Sequence, residues 1–160
     1  MITYRTAINA DAEQLLRTRR HAVINNKSGN YSDLILQSWA PKITEESIAN
    51  EGKALENSDR ITIVAEEYSK MTGLCTIDVS EGLLKQCYIL PEYSGMGIAR
   101  ELVKRVEIIA KERGLQSLKL SSSLIALDFY KKQGYITLHS YNYELDNGLQ
   151  MPCVMMEKIL

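Results

Sequence analysis

The chain has 160 residues, 45% of them hydrophobic, and a formal net charge of −1. This length fits one domain over residues 1–160 with a buried core. The balanced charge supplies no basic field for nucleic acid, and no window approaches the roughly 18 consecutive apolar residues of a membrane span. The three cysteines show no metal-ligand spacing, and the N-terminus shows no signal-peptide pattern. We therefore expect a cytoplasmic protein that binds no nucleic acid, membrane or metal.

The first third of the chain predicts one strand followed by a block of three helices. Asp11 stands three residues before Gln14, which predicts a capping box at the start of the first helix. Pro41 ends the second helix. Such a block can wall a substrate pocket. The predicted elements are a strand over residues 2–8 and helices over 11–24, 32–39 and 44–55.

Three β-rich runs follow, separated by two short turns, and predict antiparallel strands over residues 60–66, 72–79 and 83–90. Apolar residues at helical spacing predict a long amphipathic helix over 97–113. The remaining predicted elements are a strand over 117–120, a helix over 124–133 and a hairpin of 135–144 with 151–158. This order predicts an α/β protein with a mixed, mostly antiparallel sheet of six or seven strands and helices on both faces.

The segment that points to chemistry links the third of these strands to the long helix and reads LPEYSGMGIAR, residues 90–100. Backbone amides at a helix N-terminus have no intrahelical acceptor, and the helix dipole favours an anion there. Gly95 and Gly97 let the backbone approach such an anion closely. A Rossmann fingerprint is not matched, because Arg100 replaces its third glycine, and the Lys-Ser/Thr end of a P-loop is missing. A purely structural glycine turn is the remaining alternative.

Here the chain resembles the GNAT superfamily of N-acetyltransferases. Residues 87–114 (CYILPEYSGMGIARELVKRVEIIAKERG) resemble its acetyl-CoA-binding core, in which a strand ending V-x-P leads to a Q/R-x-x-G-x-G/A loop and a long helix. Residues 118–135 (LKLSSSLIALDFYKKQGY) resemble the family's N-x-x-A-x-x-F-Y-x-x-x-G-F/Y motif. The resemblance covers residues 60–160. It implies direct transfer of an acetyl group from acetyl-CoA to an amine of a small molecule or protein.

The resemblance also implies roles for individual residues. Tyr130 matches the general acid that meets the leaving thiolate, beside the cofactor. The strand backbone at Ile89 and Leu90 would bind the pantetheine arm, and the Ser123 hydroxyl would bind a pantetheine amide. Lys131 and Lys132 either reach a nucleotide phosphate or are solvated. The pyrophosphate would be held by Gly95, Met96, Gly97, Ile98, Ala99 and Arg100.

Two positions depart from the family pattern. Ser94 stands where Arg or Gln is usual, which removes one side-chain contact to the pyrophosphate and predicts weaker cofactor binding. Ser123 stands where Asn is common and has a shorter reach. A non-catalytic acyl-CoA-binding regulatory module on the same fold is therefore the alternative function. A homodimer formed through the C-terminal strands is compatible with the resemblance.

The general base is left open by the sequence. Glu81, just before the cofactor strand, is the best-placed carboxylate. An ordered water is an alternative, and so is a side chain from among Asp78, His21, His139 and whichever of Cys87 and Tyr88 faces the pocket. Tyr31 and Trp39, in the helical block, either stack on the acceptor or pack in the core.

Overall fold

A computed structural model describes all residues from 1 to 160 and is built on a seven-stranded sheet. The strands are β1 (Thr3–Thr6), β2 (Arg60–Glu67), β3 (Lys70–Asp78), β4 (Leu83–Ile89), β5 (Ser117–Ser123), β6 (Ile136–Glu144) and β7 (Gln150–Ile159). The helices are α1 (Ala12–Ile24), α2 (Asp33–Trp39), α3 (Glu45–Leu55), α4 (Ile98–Glu112) and α5 (Leu127–Lys132). The strand order is β1-β2-β3-β4-β5-β7-β6. Strands β4 and β5 are parallel and the other neighbours are antiparallel, which confirms the predicted mixed sheet.

Helices cover both faces of the sheet, because successive side chains of a strand point to opposite sides. Ile63 and Cys75 pack in one buried cluster with Leu102 of α4. Val64 follows Ile63 directly, and Leu74 directly precedes Cys75. Both pack in a second buried cluster, which contains Leu15 of α1. The predicted placement of helices on both faces is therefore confirmed.

A third cluster joins the helical block to the C-terminal strands. Tyr31 and Trp39 lie in or against this cluster, with ring centroids 6.1 Å apart. The Tyr31 hydroxyl donates to the Pro152 carbonyl oxygen at 2.5 Å and accepts from the Leu124 backbone N–H at 2.8 Å. Both hydrogen bonds of this buried hydroxyl are made within the protein. Tyr31 was predicted either to stack on the acceptor or to pack in the core, and the structure shows core packing.

The predicted capping box of α1 is wrong. Asp11 lies in a 3-10 turn before the helix, and its side chain makes no cap hydrogen bond to α1. Its carboxylate instead accepts from the Ile8 N–H at 2.7 Å and from both terminal nitrogens of Arg5 at 2.7 and 2.9 Å. This Arg5 contact and the Ile8 hydrogen bond hold the pKa of Asp11 below its usual range. Arg5 competes for the carboxylate because β1 runs beside the turn.

Several element boundaries also differ from prediction. Strand β5 runs three residues further than predicted, to Ser123, because its whole length pairs with β7 as far as Cys153. Helix α5 accordingly begins at Leu127 rather than at residue 124. Tyr68 and Ser69, both at positive φ, make the turn before β3. None of the helices combines the length and apolarity that crossing a bilayer demands.

Candidate functional site

The two parallel strands at the centre of the sheet separate soon after they meet. Only Leu83 and Leu84 of β4 pair with β5, whereas pairing with β3 continues to Ile89. The Leu90 N–H donates to the Thr72 carbonyl at 2.8 Å, so Ile89 directs its own N–H and C=O toward the open side. A free strand edge of this kind can bind an extended chain that carries amides. The backbone N–H and C=O of Ile89 are thus free of strand partners, and its binding of a pantetheine arm stays a prediction.

Leu90 is less available than predicted. Its N–H is occupied by Thr72, and its carbonyl oxygen accepts from the Tyr93 N–H at 2.9 Å. The carbonyl keeps a second lone pair, but the amide has none of its donor capacity left. Pro91–Tyr93 form a 3-10 turn at this point, which leads the chain off the sheet.

The loop that follows presents a row of unpaired backbone amides. Ser94 N–H donates to the Pro91 carbonyl and Glu101 N–H to the Gly97 carbonyl. The amides between them, from Gly95 through Arg100, have no backbone acceptor. Gly95 and Gly97 have φ of 78° and 80°, a region that glycine enters without strain. This backbone path turns successive amides outward at the α4 N-terminus, where an anion is stabilised.

A cavity of about 320 Å³ lies against this loop. It is lined by Ile89, Tyr93, Ser94, Gly95, Gly97, Ile98, Ala99, Arg100, Phe129 and Gln133. Met96 is not among the lining side chains and is exposed. Phe129 and Gln133 were missed as site residues by the sequence reasoning, which placed Phe129 in the core. Gln133 is the C-cap of α5, and its spacing of four residues from Phe129 puts both side chains on the same side of the helix. This spacing was the available signal.

Tyr130 does not line this cavity but lies in the buried cluster against which Cys87 and Ile89 of β4 pack. Its side chain is buried, with 6% exposure, and its ring contacts those of Phe129 and Tyr135 at centroid distances of 5.1 and 5.7 Å. Burial raises the pKa of the phenol well above its usual value, and Cys87, Cys75 and Tyr88 raise this pKa further. The phenol is therefore protonated at neutral pH and can donate a hydrogen bond or a proton.

Ser123 ends β5 and shapes the entrance to α5. Its Oγ accepts from the Ala126 N–H at 3.3 Å, which leaves the hydroxyl hydrogen free to be donated elsewhere. Lys131 and Lys132 are exposed in the last turn of α5.

Glu81 is not brought together with Tyr130. It lies in the exposed turn before β4, where its carboxylate pairs with Lys85 at 2.6 Å. A strand rises about 3.3 Å per residue, so Leu83 lies about 17 Å along β4 from Tyr88. Asp78 is the last residue of β3, and its carboxylate accepts from the Ser80 hydroxyl. The position of Glu81 therefore does not fit the predicted role of general base.

A second cavity, of about 560 Å³, lies on the α1 side of the end of β4. Its lining comprises His21, Ala22, Asn25, Asn26, Lys27, Ile89, Pro91, Glu92 and Ser94. Ile89 and Ser94 also line the first cavity, so both cavities border the end of β4. His21 Nε2 lies 3.6 Å from a carboxylate oxygen of Glu92, which also pairs with Lys70 at 3.3 Å. Both histidines considered as bases are exposed; His21 lines this cavity, and His139 lies on β6.

Cys87 and Tyr88 of β4 point to opposite faces of the sheet. Cys87 packs against the cluster that contains α4, and Tyr88 packs against the two clusters on the other face. The Tyr88 ring lies 5.9 Å from that of Trp39 and 5.5 Å from the Arg19 guanidinium carbon. Tyr88 is therefore the β4 side chain that faces the helical block.

Known proteins resemble this chain in sequence and in fold. A spermidine N(1)-acetyltransferase of Thermoplasma acidophilum is 26% identical over 132 residues, which are 78% of this chain and 82% of that protein. A GCN5-related N-acetyltransferase from Rhodopseudomonas palustris has a TM-score of 0.85 and 21% identity, covering 99% of this chain and 95% of that one. The PaiA N-acetyltransferase of Thermoplasma acidophilum, solved in complex with coenzyme A, has a TM-score of 0.78 and 23% identity, covering 100% and 99%.

The structural likenesses show that the fold is shared. The sequence model of the acetyltransferase (GNAT) domain matches residues 26–160, which include both cavities apart from the α1 residues before 26. The predicted resemblance is thereby confirmed, and the chain belongs to the GNAT family of acetyltransferases.

Proposed function

We propose that this acetyltransferase moves the acetyl group of acetyl-CoA directly to an amine of a small molecule or protein within a ternary complex. The observation that carries this proposal is that two cavities share Ile89 and Ser94 in their linings, while Ile89 also packs against the cluster that contains the buried Tyr130. A cofactor approaching from the α4 side and an amine approaching from the α1 side would meet there. Direct attack needs no covalent enzyme intermediate and therefore no nucleophilic side chain.

The residues on the cofactor side have distinct parts in this scheme. The unpaired amides from Gly95 through Arg100 hold the pyrophosphate, with the dipole of α4 adding to the attraction. These amides have no backbone acceptor and are free to bind the pyrophosphate. Pyrophosphate binding therefore does not require a side-chain contact from Ser94. Ile89 pairs its free N–H and C=O with the pantetheine amides, as a strand would.

The chemical step requires two proton transfers. The amine nitrogen forms a bond to the thioester carbonyl carbon, and the carbon–sulfur bond breaks. Tyr130 donates its proton to the departing sulfur, and His21 accepts the proton that the amine loses. His21 is proposed for this part because it lines the acceptor-side cavity and has the Glu92 carboxylate 3.6 Å from Nε2. Glu81, at the opposite end of β4, takes no part.

The experiment that tests the proposal replaces Tyr130 by Phe and measures thiol release from acetyl-CoA with a panel of primary amines. Loss of a general acid is expected to lower kcat by about 100-fold or more, because such groups contribute 10²–10⁴-fold. Acetyl-CoA affinity is expected to change by less than about threefold, since the hydroxyl acts on the leaving sulfur.

Tyr135→Phe is the matched control, because Tyr135 is a buried tyrosine of the same cluster whose hydroxyl donates to Glu107 instead. Its kcat should remain within about twofold of the wild type. An unchanged kcat in Tyr130→Phe would remove the acid assignment. Acetyl-CoA binding without turnover of any amine would favour the alternative, a regulatory acyl-CoA-binding module.

A further inference from the structure

Helix α1 carries a cation that no carboxylate of the protein neutralises. Its neighbours are occupied, since Arg17 pairs with Glu13 at 2.6 Å and Arg20 donates to the Pro41 carbonyl at 3.1 Å. Arg19 pairs with no carboxylate, and its Nε is shielded from solvent without a hydrogen-bond partner. A buried donor that lacks an acceptor costs free energy. Such a group is well suited to bind an anion that arrives from outside the chain.

Arg19 lies next to the acceptor-side cavity. Arg19 and Ala22 are three residues apart in α1, so they lie on the same side of the helix. Ala22 lines the cavity, and Arg19 precedes Ala22 by about 4.5 Å along the helix axis. The guanidinium also lies over the ring of Tyr88, 5.5 Å from its centroid. Tyr88 directly precedes Ile89, which lines both cavities.

The charges around this cavity favour an anionic ligand group over a polycation. Glu92 is the one carboxylate in the lining, and it is shared between Lys70 and His21. Lys27 lines the same cavity, and Arg19 adds a second positive charge beside it. A polyamine would find its cationic ends close to these charges and only one carboxylate, already paired.

We propose that the acceptor is an amine that also carries a carboxylate, and that Arg19 binds this carboxylate while the amine reaches the end of β4. The assignment rests on the proposed N-acetyltransferase function. The planar guanidinium can donate two parallel hydrogen bonds to a carboxylate. Tyr88 holds it from one face and Trp39 packs against Tyr88, so the fork is oriented before the ligand binds.

The test compares acceptors that differ only in the carboxylate. The pairs are phenylalanine with phenethylamine, leucine with 3-methylbutylamine, and lysine with cadaverine, together with spermidine as a polycation. The wild-type enzyme should acetylate at least one amino acid with a kcat/KM at least tenfold above that of its decarboxylated partner. A peptide with N-terminal aspartate and an amidated C-terminus forms a second arm. Acetylation that depends on Arg19 in either arm supports the proposal and identifies the source of the carboxylate.

Arg19→Gln should remove this preference by raising KM for the carboxylate-bearing amine at least tenfold, with kcat/KM for the plain amine unchanged within about threefold. Arg17→Gln is the matched control, because Arg17 is exposed on the same helix, and it should retain the preference. Equal or better use of the decarboxylated amines or spermidine by the wild type would overturn the carboxylate assignment while leaving the acetyltransferase function intact. Failure to acetylate any amine, with acetyl-CoA still bound, would instead overturn the proposed function.

Discussion

At the scale of single residues, the proposed reaction divides its two proton transfers between opposite faces of the sheet. Tyr130 belongs to the cluster under α4, and His21 projects from α1 into the other cavity. The sulfur and the amine can therefore each meet their own group at the end of β4, which both cavities border. Burial keeps the pKa of Tyr130 well above its usual value, so the phenol stays protonated across the neutral range and its ionisation should not limit the rate there.

His21→Ala is expected to lower kcat by about 100-fold at pH 7, because the amine loses its nearest proton acceptor. The loss should shrink as pH rises, since an increasing fraction of the free amine acceptor is already deprotonated. Steady-state kinetics between pH 7 and pH 9.5 measures both effects. His139→Ala, an exposed histidine on β6, is the matched control and should behave as the wild type. If the two variants behave alike, an ordered water rather than His21 takes the proton.

Among the residues that the sequence singled out, those whose chemistry resides in the backbone were placed best. Gly95, Gly97 and Ala99 line the cavity at the α4 N-terminus, and a short motif suffices to predict them because it fixes the local chain path. Glu92 was not predicted as a site residue, because a charged side chain in a turn is usually solvated. Only the packing of α1 against β4 brings it to a cavity.

At the scale of elements, the link between β4 and α4 depends on two glycines with positive φ. For a residue with a Cβ, this conformation costs about 1–2 kcal/mol. At Gly97 no neighbouring atom lies within 4 Å of a built Cβ, so the cost of Gly97→Ala comes from the backbone and not from a clash. Relief of that strain would rotate the amides that are proposed to hold the pyrophosphate.

Gly97→Ala is expected to lower the free energy of unfolding by about 1 kcal/mol and to raise the Kd of coenzyme A at least fivefold. Gly148→Ala is a close control, because Gly148 has φ of 81° against 80° for Gly97, has equal free space, and lies in the β6–β7 turn. It should lose similar stability with no change in Kd. Urea unfolding and calorimetric titration give the two quantities. Equal Kd values for the two variants would show that the loop conformation does not matter for binding.

At the scale of the whole molecule, the sheet is weakly joined at its centre. Strands β4 and β5 share two residue pairs, so backbone pairing contributes little to holding the two halves together. The cluster under α4 supplies the connection. It combines Ile63 and Cys75 from one half with Leu118 and Met156 from the other, all in contact through residues such as Leu102. Strands β4 and β5 can therefore separate toward their C-terminal ends while the core cluster holds the two halves of the sheet together.

Leu102→Ala is expected to lower the free energy of unfolding by about 2–5 kcal/mol, as is usual for a buried leucine. Because the cluster spans both halves, unfolding should remain one transition. Fluorescence of Trp39, the single tryptophan, and far-ultraviolet circular dichroism should therefore give the same midpoint. Leu34→Ala, at a position 71% exposed, is the control and should change stability by less than about 0.5 kcal/mol. Two separated transitions in Leu102→Ala would mean that the halves unfold independently.

The amino-acid sequence by itself determined the order of the elements, the mixed sheet and the glycine-containing loop before α4, because these depend on periodicity and on local backbone chemistry. Tertiary structure decided the rest. It showed Tyr88 and not Cys87 facing the helical block, Glu81 paired with Lys85 far from Tyr130, and His21 beside Glu92. Those relations join residues tens of positions apart, or depend on which end of β4 opens. Only the packed sheet sets the distances between residues of different elements. A local sequence pattern predicts the type of an element but not its position relative to the others.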